Sequence, residues 1–362
     1  MRPFRAVPAA LFAAVFVAGS TTVAQAQSIS PESVTATLGV GDVLTVTKTI
    51  TLGASGANLV DLFFLADNTG SMGGIIGNAQ DGADAILGGL PAGIDFNYGV
   101  GRYIGDPSEG VANAYLENTP LGASAAAAET GINAWFASGG GDTPEANFYA
   151  LEQVANGTGW RTGSQRLVVW FGDAVSHTAT TTEAEAIAAL NAAGVKVIAF
   201  NSGPSGFGID GTFGGDDDQA SDIAAATGGS LTNNFASLNL EDFVDAVNSE
   251  IETATSTLDL VFGSTFVGSG LTLEFACDDP LGCDDVAGGE SRQFQMRITA
   301  NEVGVYDFEV FAEGVSARER DLITVVDGTG VVPEPTTIIL LGTGLLGVGV
   351  LARRRKDEDA AA

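Results

Sequence analysis

Residues 59–71 read Leu-Val-Asp-Leu-Phe-Phe-Leu-Ala-Asp-Asn-Thr-Gly-Ser, an apolar run that ends in polar residues. Its first eight residues are almost all apolar, which is typical of a strand covered on both faces of a parallel sheet. Polar residues begin at Asp67, where the apolar run stops. Because ligands bind at the carboxyl ends of strands in open α/β sheets, the stretch predicts a buried strand that leads into a binding loop.

The same alternation of strands and helices continues along the chain. Short apolar runs at 167–171 and 195–200 predict further buried strands, and 94–100 alternates like another strand. Helical patterns lie between them, at 75–90, 125–137, 144–155, 183–193 and 240–251, with Pro144 expected at the first helical position of its segment. The pattern predicts an α/β fold with a doubly wound, mostly parallel sheet over residues 58–254.

The residues on either side of this region follow a period of two. Four alternating segments between 271 and 325 predict a β-sandwich, and two more strands are expected at 34–38 and 43–52. Two strands alone are marginally stable, so we expect them to join the later sandwich, with the α/β domain inserted between. The predicted division is 1–26 signal peptide, 27–57 first sandwich strands, 58–254 α/β domain, 255–328 sandwich, 329–335 linker and 336–362 sorting tail.

Oxygen-bearing side chains gather at the predicted strand ends. Asp67, Thr69 and Ser71 alternate around a turn that Gly70 permits, and Asp173 follows the strand at 167–171. The loop at 139–145, Gly-Gly-Gly-Asp-Thr-Pro-Glu, adds further oxygens. Carboxylates and hydroxyls suit a hard cation, so the sequence predicts a site for Mg²⁺, with Mn²⁺ or Ca²⁺ as alternatives.

Together these residues resemble the von Willebrand factor A domain and its metal-ion-dependent adhesion site, over residues 59 to about 254. The resemblance implies that Asp67, Thr69 and Ser71 are ligands and that Asp173 acts directly or through water. It also implies one ligand from the loop at 139–145.

The identity of the loop ligand stays open between two residues. Most of the family places Thr there, whereas integrin β chains place Glu after a proline, which favours Glu145 and leaves Thr143 as the alternate. Gly73 and Gly74 stand where integrin β chains carry the acidic residues of an adjacent calcium site. A second metal is therefore not expected at that position.

The first 26 residues have the features of a secretory signal peptide. Arg2 and Arg5 precede an apolar run at 9–19, and Ala-Gln-Ala at 24–26 is a small-x-small cleavage site. We expect export, with the mature chain beginning at Gln27.

The C-terminal residues form a second targeting signal. Residues 332–337 read Val-Pro-Glu-Pro-Thr-Thr, followed by an apolar stretch at 338–352 and a basic cluster at 353–356. This order resembles the PEP-CTERM sorting tail, which a membrane exosortase is thought to process. The basic cluster would stay cytoplasmic, which predicts a tail in the inner membrane before processing and a body in the cell envelope or outside the cell.

Composition excludes one class of partner. The formal net charge is −30, and such an acidic surface repels phosphate backbones, so no nucleic acid is expected to bind. The two cysteines, Cys277 and Cys283, lie in the exported part, where a disulfide can persist, and we expect them to form one.

No arrangement in the sequence predicts an enzyme. Ser176 and His177 are adjacent, which does not make a catalytic pair, and no Gly-x-Ser-x-Gly motif occurs. His177 is instead expected to be a loop histidine near the metal site. The predicted function is that of an exported surface or matrix protein that binds an acidic protein or polysaccharide through its metal. The alternative is a structural matrix or biofilm component that associates with its own copies.

Overall fold

The computed structural model describes residues 27–111, 114–203, 208–211 and 218–328. Three strands precede the α/β part: β1 Ser28–Ser30, β2 Thr35–Gly39 and β3 Val43–Thr51. The strands of the α/β part are β4 Leu59–Asp67, β5 Asp95–Tyr103, β6 Tyr115–Ala123, β7 Gln165–Gly172, β8 Val195–Asn201 and β9 Ser230–Thr232. Its helices are α1 Gly73–Gly88, α2 Ala125–Asn133, α3 Asn147–Gly157, α4 Glu183–Ala192, α5 Gln219–Thr227 and α6 Leu240–Ser256.

These strands form one six-stranded sheet in the order β6-β5-β4-β7-β8-β9. Every neighbouring pair is parallel except β5 and β6, which pair in an antiparallel sense at one edge. The prediction of a doubly wound, mostly parallel α/β sheet is therefore confirmed. The antiparallel edge strand β6 was not predicted, because its polar sequence, Tyr-Leu-Glu-Asn-Thr-Pro-Leu-Gly-Ala, lacks a buried-strand pattern.

Helices cover both faces of the sheet, and β4 shows how. All nine of its residues are buried. Leu62 and Phe64 belong to the core beneath α1 and α6, whereas Phe63 and Leu65 belong to the core beneath α3, α4 and α5. Alternate side chains of one strand thus enter two separate cores, which explains why 59–66 reads as a continuous apolar run.

The remaining strands follow α6: β10 Thr257–Leu258, β11 Phe262–Ser264, β12 Leu271–Cys277, β13 Val286–Ala287, β14 Ser291–Ala300, β15 Gly304–Ala312 and β16 Arg318–Val326. β10 and β13 pair only with each other, and the other five strands form two four-stranded sheets with the first strands, in the orders β1-β3-β14-β12 and β11-β15-β16-β2. β3 runs antiparallel to β14, and β2 runs parallel to β16. Strands from before and after the α/β part thus share both sheets. Cys277, the last residue of β12, forms a disulfide with Cys283.

One predicted helix start is wrong. The helix expected from Pro144 begins at Asn147 instead. The backbone of Glu145 is bonded elsewhere, since its N–H donates to the carbonyl of Val175 at 2.8 Å and its carbonyl accepts from the N–H of His177 at 2.7 Å. This bridge between two loops holds the segment extended, so the helix can begin only after it.

Within the described ranges, no helix is long and apolar enough to cross a membrane. The predicted signal peptide at 1–26, the linker at 329–335 and the tail at 336–362 lie outside the residues that the structure describes.

Candidate metal centre

The candidate site begins where β4 ends. Asp67 is the last residue of that strand, and Thr69 and Ser71 lie in the turn before α1. The N–H of Thr69 donates to Oδ1 of Asp67 at 2.7 Å, and the hydroxyl oxygens of Thr69 and Ser71 are 3.3 Å apart. Asp67 and Thr69 are buried, whereas Ser71 is exposed. The three oxygen-bearing side chains of the turn therefore lie along a path from the protein interior to its surface.

Asp173 brings a second carboxylate to the same edge of the sheet. It follows β7, which is the direct neighbour of β4. Burial raises the pKa of Asp173, and a hydrogen bond from Ser71 opposes part of that rise. The structure thus places Asp67, Ser71 and Asp173 together.

A glycine loop closes over this turn. Gly139, Gly140 and Gly141 all have positive φ angles, of 73°, 99° and 105°. A Cβ atom on Gly140 would lie 3.2 Å from Oε1 of Glu145 and 3.3 Å from Cβ of Thr69. Glycine is favoured here because the backbone conformation disfavours a side chain and the loop approaches the site closely.

The two candidate loop ligands lie in different environments. Glu145 is buried, with Oε2 accepting from the N–H of Gly105 at 3.2 Å, while Oε1 faces the glycine loop. Thr143 is exposed. Burial raises the pKa of Glu145 to about 9, and the negative charges of Asp67 and Asp173 add to the rise.

The carboxyl groups repel one another in the absence of a cation. Burial raises the pKa of Asp67 to about 7, with a further contribution from the charge of Asp173. Oδ2 of Asp67 is buried and has no hydrogen-bond partner. Among the described residues, no salt bridge involves Asp67, Glu145 or Asp173. An all-oxygen donor set with an orphaned carboxylate oxygen fits a hard divalent cation.

A second group of possible ligands lies beside the glycine loop. Nε2 of His177 is 3.3 Å from Oε1 of Glu109 and 3.5 Å from Oδ2 of Asp142. The ligand atoms of these three residues all lie within 4.8 Å of one another, so they too could hold a metal ion. Sequence reasoning placed His177 near the site but missed Glu109 and Asp142 as its neighbours. They are far apart in sequence and follow no spacing rule.

Ser176 has a structural role in the bridge between the two loops. Its hydroxyl donates to the carbonyl of His177 at 2.9 Å and accepts from the N–H of Phe148 at 2.9 Å. His177 faces the acidic residues rather than this hydroxyl.

Comparison with known proteins identifies the C-terminal segment. Residues 331–356 match the PEP-CTERM protein-sorting motif. The motif indicates an exported protein and implies processing by an exosortase and a membrane-associated tail. No curated protein matches the chain.

Several solved structures are similar to this chain. A von Willebrand factor type A protein from Catenulispora acidiphila is 13% identical, with 84% of this chain and 75% of that chain covered and a TM-score of 0.42. Proximal thread matrix protein 1 from the mussel byssus, in a structure with a zinc-occupied MIDAS motif, is 14% identical, with coverages of 59% and 48% and a TM-score of 0.40. The pilus adhesin SpaC from Lactobacillus rhamnosus GG is 11% identical, with coverages of 78% and 45% and a TM-score of 0.37.

The chain thus spans three quarters of the first of these structures and less than half of the other two. At these identities and TM-scores the likenesses carry no argument about what this chain binds.

Proposed function

We propose that this exported protein is an adhesin that binds a divalent cation through Asp67, Thr69 and Ser71. Mg²⁺ is the first candidate for that cation. Asp173 and Glu145 complete the site, one of the aspartates acting through water. When bound, the cation would supply an open coordination position for a carboxylate of a partner. The partner is an acidic protein or an acidic polysaccharide.

The observation that carries this proposal is a set of three carboxyl groups, those of Asp67 and Glu145 buried and that of Asp173 half-buried, none of which forms a salt bridge with any residue that the structure describes. Buried carboxyl groups are normally paired or protonated, because an isolated buried charge is costly. Here Asp67 keeps an unpartnered oxygen, and the pKa of Glu145 is raised to about 9. A divalent cation would offset the repulsion and give each carboxylate a partner.

The net charge of the chain is consistent with a bound cation being needed to bind an acidic partner. With a net charge of −30, the protein repels acidic molecules over most of its surface. Direct coordination by the carboxylates of Asp67, Asp173 and Glu145 together would more than neutralise the charge of a divalent cation. An aspartate that acts through water leaves the cation attractive to one further carboxylate.

We propose no catalytic reaction for this site. The hydroxyl of Ser176 is committed to backbone groups, and the ring of His177 faces Glu109 and Asp142. These contacts support a binding role rather than a nucleophile and base pair.

The test is retention of the full chain on beads that carry polyglutamate, alginate, amidated polyglutamate or the chain itself. We expect retention on at least one of the two acidic polymers in Mg²⁺, loss of retention in EDTA and none on the amidated polymer. Ser71→Ala should abolish retention, whereas Ser256→Ala, a matched change at the exposed end of α6, should not.

Retention only on beads that carry the chain itself would favour the self-associating matrix role. Retention that survives EDTA would place the adhesive surface outside the cation site, and either result would contradict the proposal.

A further inference from the structure

A lysine is buried in the core of the β-sandwich, facing two carboxyl groups. Lys48 lies on β3, and Glu319 and Asp321 lie on β16, which belongs to the other sheet. Their exposures are 0%, 3% and 0%. Three ionisable groups in an apolar core are costly unless their charges are compensated or removed.

The distances suit bond formation between two of the three groups. Nζ of Lys48 lies 3.2 Å from Oδ2 and 3.5 Å from Oδ1 of Asp321, so it is nearly equidistant from the two oxygens and faces the carbon between them. Glu319 instead directs a single oxygen, Oε1, into contact with Nζ. Cγ, the atom that Nζ would attack, is bonded to both of these oxygens and therefore lies near the separation of about 3–3.5 Å at which reacting atoms are held for attack.

The remaining contacts distinguish the two oxygens of Asp321. Oδ1 accepts from the backbone N–H of Val34 at 2.6 Å. Oδ2 accepts from no backbone donor, and its neighbours are Nζ of Lys48 and the carboxyl group of Glu319. One oxygen of Asp321 is therefore held by a donor that could stabilise negative charge, and the other is free to leave.

We propose that Lys48 and Asp321 form an intramolecular amide bond, with Glu319 as the proton carrier. The neutral amine attacks Cγ of the protonated Asp321 carboxyl, and the new Nζ–Cγ bond places negative charge on Oδ1, which the Val34 N–H stabilises. Glu319 takes a proton from Nζ and delivers it to Oδ2. The Cγ–Oδ2 bond then breaks and one water molecule leaves, so no oxidant or reductant is required.

The pKa shifts of the two carboxyl groups suit the step. Burial raises the pKa of Glu319 to about 7 and also raises the pKa of Asp321, although Lys48 opposes both rises. A neutral amine beside a neutral acid is easier to bury than an ion pair, and the amide product removes the buried charges of Lys48 and Asp321 altogether.

The bond would join the strand before the α/β domain to the last strand after it. β16 ends at Val326, five residues before the sorting motif at 331–356. A pull on a tail held at the membrane would reach β16 first. The amide would pass that force to β3 in the opposite sheet, so that β16 could not peel away from β15 and β2.

Intact mass of the full chain, measured after reduction of its disulfide, tests the proposal. The wild-type mass should be lower than the sequence mass by one water molecule, and Lys48→Met and Glu319→Gln should each restore the full mass. Lys196→Met is the matched control, because Nζ of Lys196 lies 3.0 Å from Oδ2 of Asp259 in a partly exposed pair where no bond is expected.

Digestion with trypsin identifies the bonded carboxyl group. Cleavage after Arg320 separates Glu319 from Asp321, so the peptide that begins at Asp321 should be joined to the peptide that contains an uncut Lys48. Glu319→Gln keeps the lysine and a side chain of similar size, which maintains the test if Lys48→Met does not fold.

A wild-type chain with its full mass and normal cleavage at Lys48 would overturn the proposal. A bond to the Glu319-Arg320 dipeptide would overturn the assignment of Asp321. Normal bond formation in Glu319→Gln would overturn the role of the proton carrier.

Discussion

Glu145 and Thr143 lie two positions apart in one loop, yet their side chains are in opposite environments. Glu145 is buried against the glycine loop, and Thr143 is exposed. We predict that Glu145→Gln weakens Mg²⁺ binding by at least about tenfold, since even outer-shell partners of a metal contribute that much. Thr143→Ala should leave the affinity nearly unchanged. Calorimetric titration of both variants checks this, and the reverse ranking would make Thr143 the loop ligand.

The raised pKa values of the same carboxyl groups predict a pH dependence of the metal-free chain. The pKa of Asp67 rises from 3.8 to about 7 and that of Glu145 from 4.5 to about 9 on folding. The folded state therefore binds more protons than the unfolded state between these values, and the stability that these groups contribute at acid pH is lost as pH rises.

In metal-free buffer, the free energy of unfolding should fall between pH 4 and pH 9. The loss should be steepest below about pH 7, where both groups are protonated only in the folded state, and shallower from pH 7 to pH 9, where only Glu145 still holds its extra proton. The double variant Asp67→Asn, Glu145→Gln should show a shallower dependence. Urea unfolding at several pH values measures both. Equal slopes in the two chains would show that these carboxyl groups do not govern the effect.

Sequence reasoning found the residues that follow strands and missed those that distant segments bring together. Asp67 and Asp173 are visible because each ends an apolar run. The contact between Lys48 and Asp321 was not predicted, although Lys48 shares the inward phase of Leu44 and Ile50 on β3, just as Asp321 shares that of Ile323 on β16. Inward charges in two alternating strands were a usable signal, but only the structure shows that they face each other.

Among the secondary-structure elements, β5 packs closely against β4 because it carries a glycine beside a buried ring of β4. Gly99 pairs with Phe63, and a Cβ atom there would lie 2.5 Å from the buried ring. We predict that Gly99→Ala destabilises the fold by roughly 1–3 kcal/mol, as overpacking of a core does. Gly77→Ala is the control, since it lies within α1 with no atom near the added carbon and should be neutral or stabilising.

Thermal unfolding of the two alanine variants compares them directly. A Gly99→Ala chain as stable as the wild type would show that Phe63 can move aside. The ring is fully buried among the helices on one face of the sheet, which argues against that freedom.

The helix predicted to begin at Pro144 begins at Asn147 instead. A proline followed by an apolar periodic segment is a common helix start, and the sequence contains no sign of the competing bridge. The bridge to Val175 and His177 depends on backbone groups that lie thirty residues away, so it could not be predicted locally.

At the scale of the whole molecule, the sandwich is built from two separated parts of the chain. Nine residues of β3 pair with β14, and β2 adds to β16. We predict that residues 58–254 fold alone, whereas residues 256–328 unfold cooperatively only when residues 28–57 are supplied. Thermal unfolding of the separate fragments tests this, and a stable 256–328 fragment would disprove the shared sandwich.

Thermal unfolding with and without Mg²⁺ shows whether the residues around Asp67 bind a cation. Mg²⁺ is preferred to Zn²⁺ in this experiment because the imidazole of His177 favours the softer ion. Saturating Mg²⁺ should raise the melting temperature of the wild-type chain. By linkage, a hundredfold excess of Mg²⁺ over its dissociation constant raises the free energy of unfolding by about 2.7 kcal/mol. Asp67→Ala should abolish the shift. A wild-type chain that shows no response to Mg²⁺ would contradict the account.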